Sequence, residues 1–160
     1  MKEYTCCFTG HRMILAKDRT ALIKDLQVTI ETLAASGVVH FICGGALGFD
    51  TMAALEVLKL KETHPALRLT LALPCRNQAA RWTEKQRKLY EDILRKADHT
   101  EYMFDGYVEG CMQIRNRYMV DHADICVAYF TGRPGGTAQT VAYAKEKGVR
   151  LIFIPAKEDF

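Results

Sequence analysis

Apolar positions along this chain fall in short blocks separated by longer stretches with helical character. YTCCFTG (4–10), VVHFIC (38–43), LRLTLAL (67–73), DICVAYF (124–130) and RLIFIP (150–155) read as strands. HTEYMF (99–104) reads as a weak strand or a turn. Helices are expected over 17–35, 50–63, 81–96, 109–123 and 136–148. Lys17 or Asp18 stands near the first helix start, Gly37 is its stop signal, and Pro74 closes the third strand. Strands that are apolar on both faces and alternate with helices imply a parallel sheet covered on both sides. The expected fold is α/β, a three-layer, doubly wound, mainly parallel sheet of Rossmann-like kind. Its ligand site belongs beyond the C-terminal strand ends, near the reversal of strand order. With no repeat, low-complexity run or linker in 160 residues, a single domain over 1–160 is expected.

Two strand-to-helix corners carry glycine. In CGGALGFD (43–50), Gly44 and Gly45 follow a strand and Gly48 precedes a helix. In RPGGT (133–137), Gly135 and Gly136 stand before Thr137. Glycine lets a ligand approach the backbone, and the free N–H groups and dipole of the following helix favour an anion such as phosphate. Equally, such glycines serve a tight turn. Asp50 is read as a helix N-cap or as an acceptor for ribose hydroxyls. Thr137 is an N-cap, a hydroxyl donor to phosphate, or both, and Arg133 is a loop charge or a phosphate clamp.

Two further pieces point at the same strand ends. On a helix, Cys111, Arg115 and Met119 share a face, so Arg115 needs an anionic partner among apolar neighbours. Arg117 and Asp121, four apart, suit an intrahelical ion pair. FTGHR closes the first strand, placing His11 and Arg12 where a doubly wound sheet opens its cleft. His11 there is a general acid or base, or a hydrogen-bonding bystander.

Composition narrows the partners. The formal charge is +3, and signs alternate along RWTEKQRKLYEDILRKAD, as on a solvated helix face. Without concentrated positive charge, nucleic acid is set aside as a partner, while small anionic ligands stay open. No signal-like segment or membrane-length apolar run occurs, so a cytoplasmic protein with no membrane partner is expected. The six cysteines form no C-x-x-C pair and the five histidines no zinc spacing, so no metal is expected. Cys6 and Cys7 should point to opposite faces of a strand. Cys75 is a reactive thiol or a bystander.

TGHR (9–12), CGGALGFD (43–50), PCRNQAARW (74–82), IRNRYMVDHAD (114–124) and GGTAQT (135–140) together resemble the SLOG superfamily. It unites LOG-type phosphoribohydrolases, DprA DNA-processing proteins and YpsA-like proteins, and the YpsA-like branch resembles this chain along almost its whole length. The resemblance implies a Rossmann-like fold with a nucleotide-type ligand at the sheet edge. The matching motifs put Thr9, Gly10, His11, Arg12, Gly44, Gly45, Ala46, Gly48, Asp50, Arg115, Asn116, Gly135, Gly136 and Thr137 at its site. In LOG-type enzymes the arginine motif acts with a glutamate just after the second glycine motif. Arg115, followed by Asn116 and Met119, matches the arginine, but the glutamate's place holds Thr140 or Ala142. Neither does a carboxylate's work in cleaving a base–ribose bond. The leading expectation is therefore a binding or sensing domain for a small nucleotide or nucleotide-derived ligand, ADP-ribose-like or dinucleotide. No other cofactor is expected, and a homo-oligomer is left open. Arg115 is the candidate catalytic residue of the alternative, a nucleoside monophosphate N-glycosidase. A DprA-like single-stranded DNA binder ranks third, because only Trp82, Tyr90 and Tyr118 stand among mixed charges.

Overall fold

The computed structural model describes residues 4–155, and every apolar run in it becomes a strand. In chain order the elements are β1 (Thr5–Gly10), α1 (Ala16–Ala35), β2 (His40–Cys43), α2 (Phe49–Lys61), β3 (Arg68–Cys75) and α3 (Glu84–Lys96). They continue with β4 (His99–Phe104), α4 (Cys111–Asp121), β5 (Ile125–Tyr129), α5 (Gly136–Glu146) and β6 (Arg150–Phe153). The six strands form one sheet in the order β4-β3-β2-β1-β5-β6, with every pair parallel. Strand order reverses between β1 and β5, where a doubly wound sheet opens its crevice. Residues 1–3 and 156–160, which the single-domain expectation includes, lie outside the described residues.

The alternation of side chains builds two cores. Cys6, Phe8, Phe41, Leu69, Leu71 and Val127 pack under α1, α2 and α3, with Leu26, Ile30, Ala53, Val57 and Ile93. Cys7, Ile42, Ala72 and Cys126 face the other way, against Met119 and Val120 of α4 and Ala144 of α5. Adjacent cysteines thus serve opposite faces, as the period of a strand requires. The α4–α5 side is lined by small residues, which lets α4 lie close enough for a long side chain to reach the backbone beneath.

Three boundaries differ from the sequence reading for physical reasons. Strand β3 runs through Pro74 instead of stopping there. Its last residue paired with β2 is Leu71, opposite Cys43, so the missing proline N–H falls beyond that ladder. The segment read as a weak strand or turn is β4, an edge strand that pairs with β3 alone and is only half-buried. Helix α3 begins at Glu84, not near Arg81, because Thr83 caps it. Thr83 Oγ1 accepts from Gln86 N–H at 3.2 Å, and Gln86 Oε1 accepts from Thr83 N–H at 2.9 Å. This capping box is written in the sequence as T-E-K-Q. The charged face of α3 is solvated, as its alternation implies: Lys88 meets Glu84 at 3.3 Å, and Asp92 meets Arg95 and Lys96.

The corner after β2 is closed by the protein itself. Gly45 has φ +70°, and a Cβ there would lie 2.4 Å from Leu73 Cδ2. At Gly48, with φ +82°, a Cβ would lie 2.1 Å from the Arg12 carbonyl oxygen. Gly45→Ala should therefore cost about 1–3 kcal/mol, the sum of a left-handed backbone and an overpacked contact. Urea unfolding should show a lower midpoint at unchanged slope; a midpoint equal to wild type would mean the corner relaxes freely.

Candidate functional site

At the C-terminal ends of β1 and β5 lies a cleft of about 330 Å³. Thr9, Gly10, His11 and Arg12 form one wall, leaving β1. Met112, Gln113, Arg115 and Asn116 of α4 form the second, and Pro134, Gly136 and Thr137 the third. Ala46 and Asp50 reach it from the β2–α2 corner. Of the residues singled out in the sequence, Gly44, Gly45, Gly48 and Gly135 do not line it. Met112, Gln113 and Pro134 line it without having been singled out. The signal for two of them was helical spacing: Met112 and Gln113 each stand three residues before Arg115 and Asn116.

The two glycine corners play unlike parts. At the first, Ala46 N–H is taken by Asp50 Oδ2 at 3.3 Å and Phe49 N–H by the His11 carbonyl at 3.2 Å. Asp50 is not the N-cap of α2; Gly48 is, and Asp50 lies inside the helix with its carboxylate turned back. At the second, Gly135 is the N-cap, no side chain caps α5, and the first bond within it is Gln139 N–H to the Gly135 carbonyl. The first-turn N–H groups of α5 are thus left over, as at any uncapped helix start. Thr137 is not the cap either, being the second helical residue. Cβ atoms built on Gly135 and Gly136 would meet no protein atom within 4 Å. The second corner is open to a ligand.

Arg115 is 4% exposed and anchored beneath the cleft. Its Nη1 donates to the carbonyls of Gly44 and Ala72, and its Nε to Asn116 Oδ1 at 2.8 Å. Nη2 touches only Met112 Sδ, at 3.8 Å. The expected anionic partner is replaced by neutral carbonyls, with Asp50 nearby as counter-charge. Burial pulls the guanidinium's pKa down, and the Asp50 charge acts against that fall. Burial likewise pushes the Asp50 carboxyl up, opposed by Arg115, the Ala46 N–H and Arg12.

His11 ties two loops together. Its Nε2 accepts from Thr131 N–H at 3.1 Å, while its ring lies edge-on to Tyr129. Burial and the nearby Arg133 charge lower its pKa, so the neutral imidazole is favoured. Thr140, in the place of the LOG-type glutamate, spends its hydroxyl on the Gly136 carbonyl at 2.8 Å, and Ala142 faces the groove between α4 and α5. Arg117 and Asp121 do not pair as expected: Tyr143 Oη donates to Asp121 at 2.7 Å, and Arg117 stands 5.5 Å from the Tyr143 ring. Cys75 is buried, and burial raises its thiol pKa, which disfavours the thiolate. Among the described residues no cluster of His, Cys, Asp or Glu could hold a metal ion, and no helix is long and apolar enough to cross a membrane.

Folding also concentrates charge that looks diluted in the sequence. Exposed Arg12, Arg76, Arg81 and Arg133 all lie on loops at the C-terminal edge of the sheet, against Asp105 and Glu109. Loops at the opposite edge carry Glu62, Asp98 and Asp124 against Lys147.

Two solved structures share this architecture. DNA processing protein A of Helicobacter pylori, described for its single-stranded DNA binding mode, superposes with TM-score 0.66 at 20% identity, over 95% of this chain and 65% of that one. DprA of Streptococcus pneumoniae gives TM-score 0.69 at 17% identity, over 95% of this chain and 50% of that one. The chain therefore spans two thirds or less of those DprA chains. This finding overturns the expectation of a small-molecule partner with nucleic acid set aside, because the fold is one on which H. pylori DprA binds single-stranded DNA. The physical reason is that folding gathers arginines at one sheet edge, which a sum of charge along the chain hides. Among sequence relatives, a UPF0398 protein of Halalkalibacterium halodurans is 35% identical over 131 residues, 80% of this chain and 69% of that protein. The SPbeta prophage-derived protein YoqJ of Bacillus subtilis is 34% identical over 135 residues, 77% of this chain and 79% of YoqJ. Residues 7–152 match the model of the YspA SLOG family, and the chain belongs to that family.

Proposed function

We propose that this protein binds single-stranded nucleic acid, with one backbone phosphate of the strand seated in the cleft at the start of α5. The observation that carries this reading is the open second corner. First-turn N–H groups of α5 have no partner among the described residues, and Gly135 and Gly136 have no Cβ to block approach. Arg12 stands across the same cleft, and Arg81 and Arg133 extend positive charge along the loop edge, while Arg76 is paired with Asp105 at 3.2 Å. A strand longer than one nucleotide uses that edge; an isolated phosphate does not. The DNA-binding fold neighbour supports the same class of partner.

Fluorescence anisotropy with labelled single strands, and with duplex of the same sequence, tests the reading. Single strands should bind and lose affinity as salt rises, and the absence of binding at low salt would overturn it. Arg12→Gln should reduce the slope of log affinity against log salt by about 0.7, the value of one phosphate contact on a single strand. An unchanged slope would take Arg12 out of the phosphate path.

Gly136→Val should weaken strand binding at least about tenfold, the loss of roughly one charge-assisted contact, because the new side chain enters empty cleft space. Its melting temperature should stay near that of wild type. Unchanged affinity in the folded variant would move the phosphate away from α5.

His11 adds a pH dependence with a defined sign. Its folded pKa lies below the unfolded value of about 6.5, so the fold binds fewer protons at this site. The stabilisation is complete above that pH and is lost as pH falls through the unfolded and then the folded pKa. Thermal melts should show this acid loss in wild type and a smaller one in His11→Asn. Identical profiles would show that the Thr131 bond does not hold His11 neutral.

A further inference from the structure

Asp50 is the one lining group that opposes a phosphate, and it is built into the cleft at a cost. It is 7% exposed, and burial disfavours its charged form. Among the described residues its carboxylate takes one hydrogen bond, a long one at Oδ2 from Ala46 N–H at 3.3 Å. Asp50 and Arg115 both crowd Gly44: a Cβ on Gly44 would lie 2.6 Å from Asp50 Oδ2 and 2.8 Å from Arg115 Nη1. A buried carboxylate with an oxygen left over, facing a cleft, is satisfied by a ligand that donates a hydrogen bond. On a nucleic-acid strand the donors are sugar hydroxyls and base N–H groups. Thr9, Thr137, Asn116 and Gln113 line the same cleft; of its two rings, Phe8 is buried in the core and His11 is bonded to the Thr131 loop. Bases of a single strand are held on aromatic faces, whereas hydroxyl and amide groups suit sugar and phosphate.

We propose that Asp50 accepts a hydrogen bond from a ribose 2′-hydroxyl, so that the cleft holds single-stranded RNA in preference to DNA of the same sequence. This rests on the reading of the cleft as a single-strand site. The 2′-hydroxyl is the donor that lets a protein tell the two strands apart at one nucleotide. A DNA strand in the same place offers the carboxylate no such donor and sets its phosphate against the carboxylate charge.

Anisotropy titrations with oligouridine, oligodeoxyuridine and 2′-O-methyl-oligouridine of one length test this, since base and charge are constant. The methylated strand keeps the ribose but removes the donor. Wild type should bind oligouridine at least about tenfold more tightly than the other two, the scale of one hydrogen bond to a charged group. Asp50→Ala should erase the difference, through weaker binding of oligouridine and stronger binding of the two strands that lack the donor. Asp50→Asn, of equal size, should keep part of it through its neutral carbonyl oxygen and serves if the alanine variant fails to fold. Equal affinity of wild type for all three strands overturns the sugar contact and leaves the single-strand reading standing. A preference for oligouridine that survives in Asp50→Ala, or that 2′-O-methyl-oligouridine shares, also overturns it. Failure to bind any strand overturns both.

Discussion

A guanidinium held under the sheet edge organises this molecule. Arg115 leaves α4, passes over the small side chain of Ala72 and donates to the backbone of β3 and of the β2–α2 corner. Three elements are thereby fixed relative to one another at the point where the cleft opens. Removing a cation from water costs several kcal/mol unless its donors are used and its charge is answered. Here carbonyls use the donors and Asp50 supplies the opposite charge from beside Gly44. Replacement of Arg115 by lysine would keep the charge but lose the planar fork that spans two carbonyls and Asn116.

Because Arg115 occupies the space beside Gly44, the glycines of the first corner leave no room for a ligand over them. Gly45 is closed by Leu73, Gly48 by the Arg12 carbonyl, and even Gly10 is covered by the Phe49 ring, with a Cβ there 2.4 Å from it. These glycines allow side chain and backbone of the protein to touch. Gly135 and Gly136 face empty space instead. Two similar sequence patterns thus serve opposite ends, one to seal the floor of the cleft and one to leave its rim open. Pattern alone could not separate them, because the absence of a Cβ makes room equally for Leu73 or for a phosphate.

The fold was legible because every strand except the edge strand β4 is apolar along its length, and burial on both faces is what a parallel sheet demands. β4 read weakly since half its surface is solvated, and β3 read short since proline ends strands except beyond a ladder. At the site, the cleft's location followed from the strand-order rule, and Thr9, Gly10, His11, Arg12, Arg115, Asn116, Gly136 and Thr137 all meet there. The direction of Arg115's bonds was hidden, because backbone carbonyls leave no mark in a sequence. So was the gathering of Arg12, Arg76, Arg81 and Arg133, which are scattered over 122 positions by number but share one edge after folding.

The division between sealed floor and open rim bears on how a flexible strand is held. The β5–α5 loop is exposed from Thr131 to Gly135, and an exposed loop ordinarily loses entropy when it grips a ligand. Here the Thr131 N–H bond to His11 Nε2 anchors that loop to the end of β1 before any ligand arrives. The same histidine offers its carbonyl to the start of α2, so one residue couples rim to floor. His11 therefore contributes to binding by holding geometry, with its ring neutral and its acceptor nitrogen occupied. A group so placed lowers the ordering cost at α5 without touching the phosphate, and the charge for attraction is left to Arg12 and the arginines along the edge.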